Sequence, residues 1–324
     1  MPDIERRNAL CRLGLAGVSA FCTSYTDAQM RTIKLVMPFA AGGGPDLLAR
    51  AQAMEMGHAL GNAIVVENRT GAGGIVAAES VARAEPDGTT ILLGTSAHVV
   101  HKLLNAAVAF DPLTGFAAIS LCWRSPSILV VAATAPYRSA AELEDAIRAR
   151  PGAFNYASGG VGTAAHLAGG TLMHVAGLRA VHVPYGGSVQ VPRALLAGDV
   201  QFSLLIAGSA LPFIQSGELR ALAVSGERRL PALPHVPTLV ELYRDPLLAQ
   251  DAWGGLWAPR GTPAPVIARL FDANRHAHET ATVQRSYEAN GAQVALSASP
   301  EDFERFMAAE TQKWRRIVAA VDLR

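Results

Sequence analysis

Apolar runs of four to seven residues alternate along this chain with longer segments that suit a helix, and this alternation limits the fold more than any other feature. In the first half the runs are "IKLVMPF", "AIVVEN" and "TTILLGT", with helix-compatible residues 46–60 and 74–84 between them and the turn Pro86-Asp87-Gly88 before the third. Strands that are apolar throughout have no face to offer water, so they predict a parallel sheet covered by helices on both sides. The fold class expected is therefore α/β, with residues 30–125 reading as a βαβαβ unit. The second half repeats the theme: "FNYASGGVGTAAHLAGGTLMHVAG" reads as strand, glycine loop and helix, followed by "AVHVPYGGS", "VQFSLLIAG" and "ELRALAVSG". Near the end, Thr262-Pro263 and Ser299-Pro300 each pair an N-cap residue with a proline, and Ser299 with Asp302 spells a capping box. Phe303, Phe306, Met307, Trp314, Ile317, Val318 and Val321 then form an apolar stripe expected to pack as core.

Two of the strand-to-helix junctions are rich in glycine. In "PFAAGGGPDLLAR", residues 38–50, glycine lets another molecule approach the backbone closely, and a helix that starts there directs its unpaired N–H groups outward. Asp46 in the first helical turn suits the helix dipole in any case. The second loop lies about 120 residues later, so the pair is expected to face each other across a cleft. A small carboxylate between them would meet the N–H groups of Ala41 to Gly44 on one side and donors of Ser158, Gly162 and Thr163 on the other. Charge-assisted hydrogen bonds contribute roughly 1.5–3 kcal/mol each, and a micromolar dissociation constant needs about 8 kcal/mol. Four or five such donors suffice without a lysine or arginine.

Chemistry is harder to find. Gly160, Gly162 and Ala165 fit the dinucleotide pattern G-x-G-x-x-A, but no acid follows before Asp199 to hold a ribose; Gly42 and Gly44 lack the third small residue at Leu47, although Glu67 falls near the place for the acid. There is no G-K-[ST] loop, G-x-S-x-G elbow, H-E-x-x-H helix or paired cysteine motif. His98 and His101, and His166 and His174, have no carboxylate spaced for a metal site and read as structural; Ser158 has no base nearby in sequence. Gly71, Gly73 and Gly74 read as turn residues and Trp253 and Trp257 as packing. No cofactor and no metal are expected. With 28 basic and 27 acidic residues the net charge is +1, and no basic run points to nucleic acid.

The first residues differ from the rest. Arg6-Arg7 precede the apolar "ALCRLGLAGVSAFC", too short for a bilayer, and Thr26-Asp27-Ala28 offers a cleavage site, so residues 1–28 read as an export signal despite the interruption at Arg12. Its removal would leave Cys122 as the one cysteine, expected to be a buried, inert thiol.

At the level of "IKLVMPFAAGGGPDLLAR", "VVENRTGAGG", "PDGTTILLGT", "NYASGGVGTAAHLAG", "VHVPYGGS", "GELRALAVSGERRLPALPHVPTLVE" and "WGGLWAPRGTPAPVIARL", the chain resembles the periplasmic substrate-binding proteins of tripartite tricarboxylate transporters, the Bug family. The resemblance implies a type II periplasmic binding protein: two doubly wound α/β domains, 29–125 with 252–324 and 126–251, with an interdomain ligand cleft. It implies binding of a small carboxylate by Phe39, Ala40, Ala41, Gly42, Gly43, Gly44 and Asp46 from one loop and Ser158, Gly159, Gly162, Thr163 and Ala164 from the other, with no catalysis. Delivery to two integral membrane subunits from a periplasmic monomer follows from the same likeness; a binding protein serving a membrane sensor is its near alternative, and a nucleotide-dependent enzyme a distant one. This chain departs from the pattern at Pro45, which removes an N–H and a hydroxyl, and at Gln201 and Leu205, where an acid is common; "PYGGS" lacks the usual lysine. Leu205 in particular implies a ligand without an amino group.

Overall fold

The computed structural model describes residues 32–321; the export signal expected over 1–28 lies outside the described residues. Strand β1 (Ile33–Met37) leads through helix α1 (Gly44–Leu60) to β2 (Ile64–Asn68), and α2 (Ile75–Ala82) leads on to β3 (Thr90–Thr95) and α3 (Ala97–Leu104). β1 is flanked in parallel by β2 and β3, the expected βαβαβ arrangement. The chain then runs along the 17-residue β4 (Phe116–Ala132) into its second half: α4 (Ala140–Ala149), β5 (Asn155–Ser158), α5 (Ala164–Val175), β6 (Val181–Pro184), α6 (Val191–Ala197), β7 (Phe202–Ile206), α7 (Ala207–Gln215), β8 (Leu219–Val224) and α8 (Leu239–Tyr243). It returns along β9 (Asp251–Pro259) and ends with α9 (Ala264–Glu279), α10 (Ala281–Ala289), the short β10 (Gln293–Val294) and α11 (Pro300–Ala320).

The sheet order is β2-β1-β3-β9-β4-β7-β5-β6, with β8 and β10 also on β4. An all-parallel sheet was too simple an expectation. β9 inserts between β3 and β4 and is antiparallel to both, because a chain that leaves through β4 and comes back must run the opposite way. β4 changes partner along its length: Phe116 to Pro126 pair with β9, whereas Ser127 to Val130 pair with β7 and Ile128 to Ala132 with β8.

Strand alternation explains the cores on the two sheet faces. Leu35, Met37 and Leu93 point to one side, with Met56 and Tyr287, while Val36 and Leu92 point to the other, with Trp257, Phe303 and Trp314. In the second half Leu129, Val131 and Leu204 share one core and Ile128, Val130 and Leu205 the opposite one. The α11 stripe packs as its spacing predicts, with Phe303, Met307, Trp314, Ile317 and Val321 buried and Phe306 and Val318 against them. Ser299 caps α11 by accepting the Asp302 N–H at 3.2 Å, although Asp302 answers the N–H of Ala298 and not of Ser299. Thr262 is not a cap: Pro263 holds that position, and the Thr262 hydroxyl turns back to donate to the Pro259 carbonyl at the end of β9.

A buried polar cluster ties the C-terminal helices to α1. Gln52 donates to Asn274 Oδ1 at 2.6 Å and lies 3.3 Å from Cys122 Sγ, while Tyr287 bonds both Gln52 and His278. Burial pushes the Cys122 thiol up to about 12, which leaves it an inert packing group. β9 carries Gly254 against the Trp123 ring, and a Cβ there would collide with the indole. Gly254→Ala is expected to cost about 1–3 kcal/mol through overpacking, read as a lower midpoint in thermal melting; an unchanged midpoint would contradict the packing described.

Candidate functional site

The first glycine loop is fixed from beneath by Asp46. Its carboxylate accepts the Gly42 N–H at 2.9 Å, Arg50 Nε at 2.9 Å and Nη2 at 3.1 Å, and Asn68 Nδ2 at 2.8 Å. Asn68 also donates to the Phe39 carbonyl, so one clamp holds both limbs of the loop. Burial raises the Asp46 pKa, but the hydrogen bonds from Arg50, Asn68 and Gly42 outweigh it and hold the carboxyl below its ordinary value. Gly44 donates to Ser209 Oγ at 3.4 Å, Pro45 has no N–H, and the Asp46 N–H bonds to the Gly43 carbonyl. Of the four backbone N–H groups expected as donors from Ala41 to Gly44, those of Gly42 and Gly44 are thus engaged by the protein itself.

The second loop is organised in the same way. Gly162 donates to His166 Nδ1 at 3.1 Å, Thr163 Oγ1 to the Gly160 carbonyl at 2.7 Å, and Ser158 Oγ accepts the Gly160 N–H at 3.1 Å while lying 2.7 Å from His182 Nε2. The His166 and His182 rings stack with centroids 4.0 Å apart. Burial lowers the pKa of His166 to about 4 and, with the neighbouring His166 ring adding to it, that of His182 to about 3. Two neutral imidazoles therefore support this loop near pH 7. Sequence spacing hid His182, which stands 24 residues from Ser158 and reaches it because β5 and β6 are neighbours.

Between the loops lies a cavity of about 50 Å³. Its walls are Phe39, Pro45, Thr95, Ser96, Gly159, Thr163, Ala164, Ala165, Ser188, Leu205, Ile206 and Ala252, so residues of both glycine loops meet at one space and none of the lining side chains is charged. Among the expected residues, Phe39, Gly159, Thr163, Ala164 and Leu205 line it. Gly43, Gly44, Asp46, Ser158 and Gly162 are buried behind it, Ala40 is partly buried, and Ala41 and Gly42 face outward. Gln201 lies at the far end of β7, where it pairs with Asn155 and Gly198. His98 is enclosed by Phe110, Phe116 and Trp257, and burial lowers its pKa to about 3.

Four helix N-termini reach the cavity wall. Pro45 is in the first turn of α1, Ser96 precedes α3, Thr163 is the N-cap of α5 and Ile206 that of α7. Each helix end carries roughly half a positive charge. The hydroxyls of Thr95 and Ser96, whose residues are 8% and 2% exposed, have no protein hydrogen-bond partner among the described residues. These two were missed in the sequence because "TTILLGT" reads as a strand with nothing to mark its last residue. A wider cleft of about 420 Å³, lined by Gly71, Gly73, His101, Gly159, Gly160 and Tyr185 among others, opens alongside.

An uncharged cavity walled by loops from both halves of a doubly wound α/β chain is the architecture of a periplasmic solute-binding protein. Residues 48–323 match the family described as tripartite tricarboxylate transporter family receptor, TctC, and the chain belongs to it. Among solved structures it is similar to the periplasmic binding protein BugD, at 32% identity and a TM-score of 0.84 over 88% of this chain and 96% of that one. It is also similar to MatC from Rhodopseudomonas palustris with bound malate, at 30% identity and 0.83 over 90% and 99%. An R. palustris protein with adipate, Rpa4515, matches at 31% identity and 0.86 over 91% and 98%. No helix among the described residues is long and apolar enough to cross a membrane.

Two outcomes test how the loops are held. Asp46→Ala is expected to lower ligand affinity at least tenfold although Asp46 touches no part of the cavity; unchanged affinity in calorimetry would release the first loop from its clamp. The depressed histidine pKa values mean that the unfolded chain binds protons the folded one refuses. Stability from His166 and His182 is therefore full above pH 6.5 and lost as pH falls toward 4 and then 3. His182→Gln should flatten that part of the melting profile, whereas an identical acid limb would show that the pair does not set it.

Proposed function

We propose that this protein captures one small carboxylate in the cavity between the loops and hands it, unchanged, to a membrane transporter of the tripartite tricarboxylate type. The reading rests on one observation: four helix N-termini converge on a cavity with no charged side chain. Helix ends favour an anion, and a carboxylate is the small anion whose two oxygens can meet several N–H and O–H donors at once. The malate and adipate held by the two R. palustris proteins support the same class of ligand.

In this reading residues 29–125 and 252–324 form one lobe and 126–251 the other. The change of β4 partners after Pro126 and the return at Asp251 support that division. Phe39, Gly159, Thr163, Ala164 and Leu205 contact the ligand together with Thr95, Ser96 and Ser188. Gly42, Gly43, Gly44, Asp46, Ser158 and Gly162 hold the loops in shape, with Ala40 and Ala41 at the outer edge. Leu205 offers no partner to an ammonium, so the ligand lacks an amino group. The protein works as a periplasmic monomer without turnover, and two integral membrane subunits receive the closed form.

A calorimetric screen of small acids tests the capture; no acid binding more tightly than millimolar would refute it. Thr163→Leu, which fills the α5 end of the cavity and removes the hydroxyl bonded to the Gly160 carbonyl, should weaken the best acid at least tenfold; unchanged affinity would remove the second loop from the site.

A further inference from the structure

We infer that the captured acid carries an elongated, carbon-rich remainder that passes Phe39 and Gly159 and lies in the wider cleft. The inference rests on the carboxylate-capture reading and names the shape of its ligand. A water-sized group needs about 10–15 Å³, so the cavity of about 50 Å³ has room for about four such groups, a carboxylate and little more. A larger guest must extend into a neighbouring space. Behind Thr95 lies one of about 10 Å³, walled by Gly74, Leu92, Gly94 and His98 among others, which takes one water-sized group at most. Phe39 and Gly159, by contrast, belong to the walls of both the cavity and the cleft of about 420 Å³, so the two adjoin there.

The cleft suits carbon. Pro38, Ile75, Leu104, Val161, Pro184 and Tyr185 line it, and no acid, lysine or arginine is among its walls. Val161 is 48% exposed, apolar surface that a guest in the cleft would cover. His101 adds no charge near neutral pH: its Nε2 lies 3.1 Å from the Gly73 carbonyl, and burial holds its pKa below the ordinary histidine value. A hydrocarbon chain or ring entering from the cavity would therefore leave water without displacing an ion pair.

Butyrate and octanoate share a carboxylate and differ by four methylenes, which makes them the deciding pair. Each buried methylene multiplies affinity about fourfold, so isothermal titration at pH 7.5 is expected to show octanoate bound at least tenfold more tightly. Val161→Ser and Leu104→Ser, both in the cleft and outside the cavity wall, should each lower octanoate affinity at least threefold and leave butyrate within twofold. An octanoate advantage below tenfold, one that neither substitution reduces, or a loss shared equally by both acids overturns the extension and leaves carboxylate capture standing. If neither these nor any other small acid binds, both readings fall.

Discussion

Helix ends, not charged side chains, set the electrostatics of this cavity. Four N-termini reach a wall whose side chains carry no formal charge, so the positive ends of backbone dipoles face the cavity without a cationic side chain among its lining. A lysine or arginine would bring a flexible cation into a space of about 50 Å³ and would have to be desolvated there. Backbone dipoles are already oriented and cost no such reorganisation. The rest of the architecture follows from the need to bring helices from opposite halves of the chain to one point.

The long strand β4 and its return partner β9 satisfy that need. β4 belongs to the first half of the sheet through Pro126 and to the second half from Ser127 on, so a single continuous backbone carries both sets of loops. Bulky aromatic residues lock the first half around that crossing: Trp123, Trp253 and Trp257 are buried, and Trp253 donates its indole N–H to Glu310 of α11. The glycines of β9 are small because Trp123 and Phe303 occupy the space a side chain would take. Packing of the C-terminal helix and placement of the loops are therefore parts of one arrangement.

Much of this was legible in the sequence because apolar strands and glycine loops are local signals. β1, β2, β3, β5, β7 and β8 stand where the runs predict, and both loops border the same cavity. What was not legible depends on pairing between distant residues. Nothing in "WGGLWAP" says that β9 will insert between β3 and β4, since its register comes from tertiary pairing. The loop donors looked free because their partners, Ser209 for Gly44 and His166 for Gly162, cannot be assigned from spacing alone. Thr95 and Ser96 escaped attention for the opposite reason: they are ordinary residues at a strand end, and their significance lies in having no partner.

Glycine has a second use where the halves meet. A Cβ on Gly44 would stand 2.9 Å from Gly208 Cα, and one on Gly73 would collide with the Val161 carbonyl oxygen. Backbone thus meets backbone closely at two points, Gly44 against Gly208 next to the lining residue Pro45 and Gly73 against Val161 in the wider cleft, and main chain cannot change rotamer there. Side chains such as Phe39 and Leu205 then adjust the shape within fixed limits. A scaffold of this kind can keep its helix ends constant while a few lining side chains change the shape of the cavity, because the backbone that orients the dipoles is not the set of side chains that fills the rest of the wall.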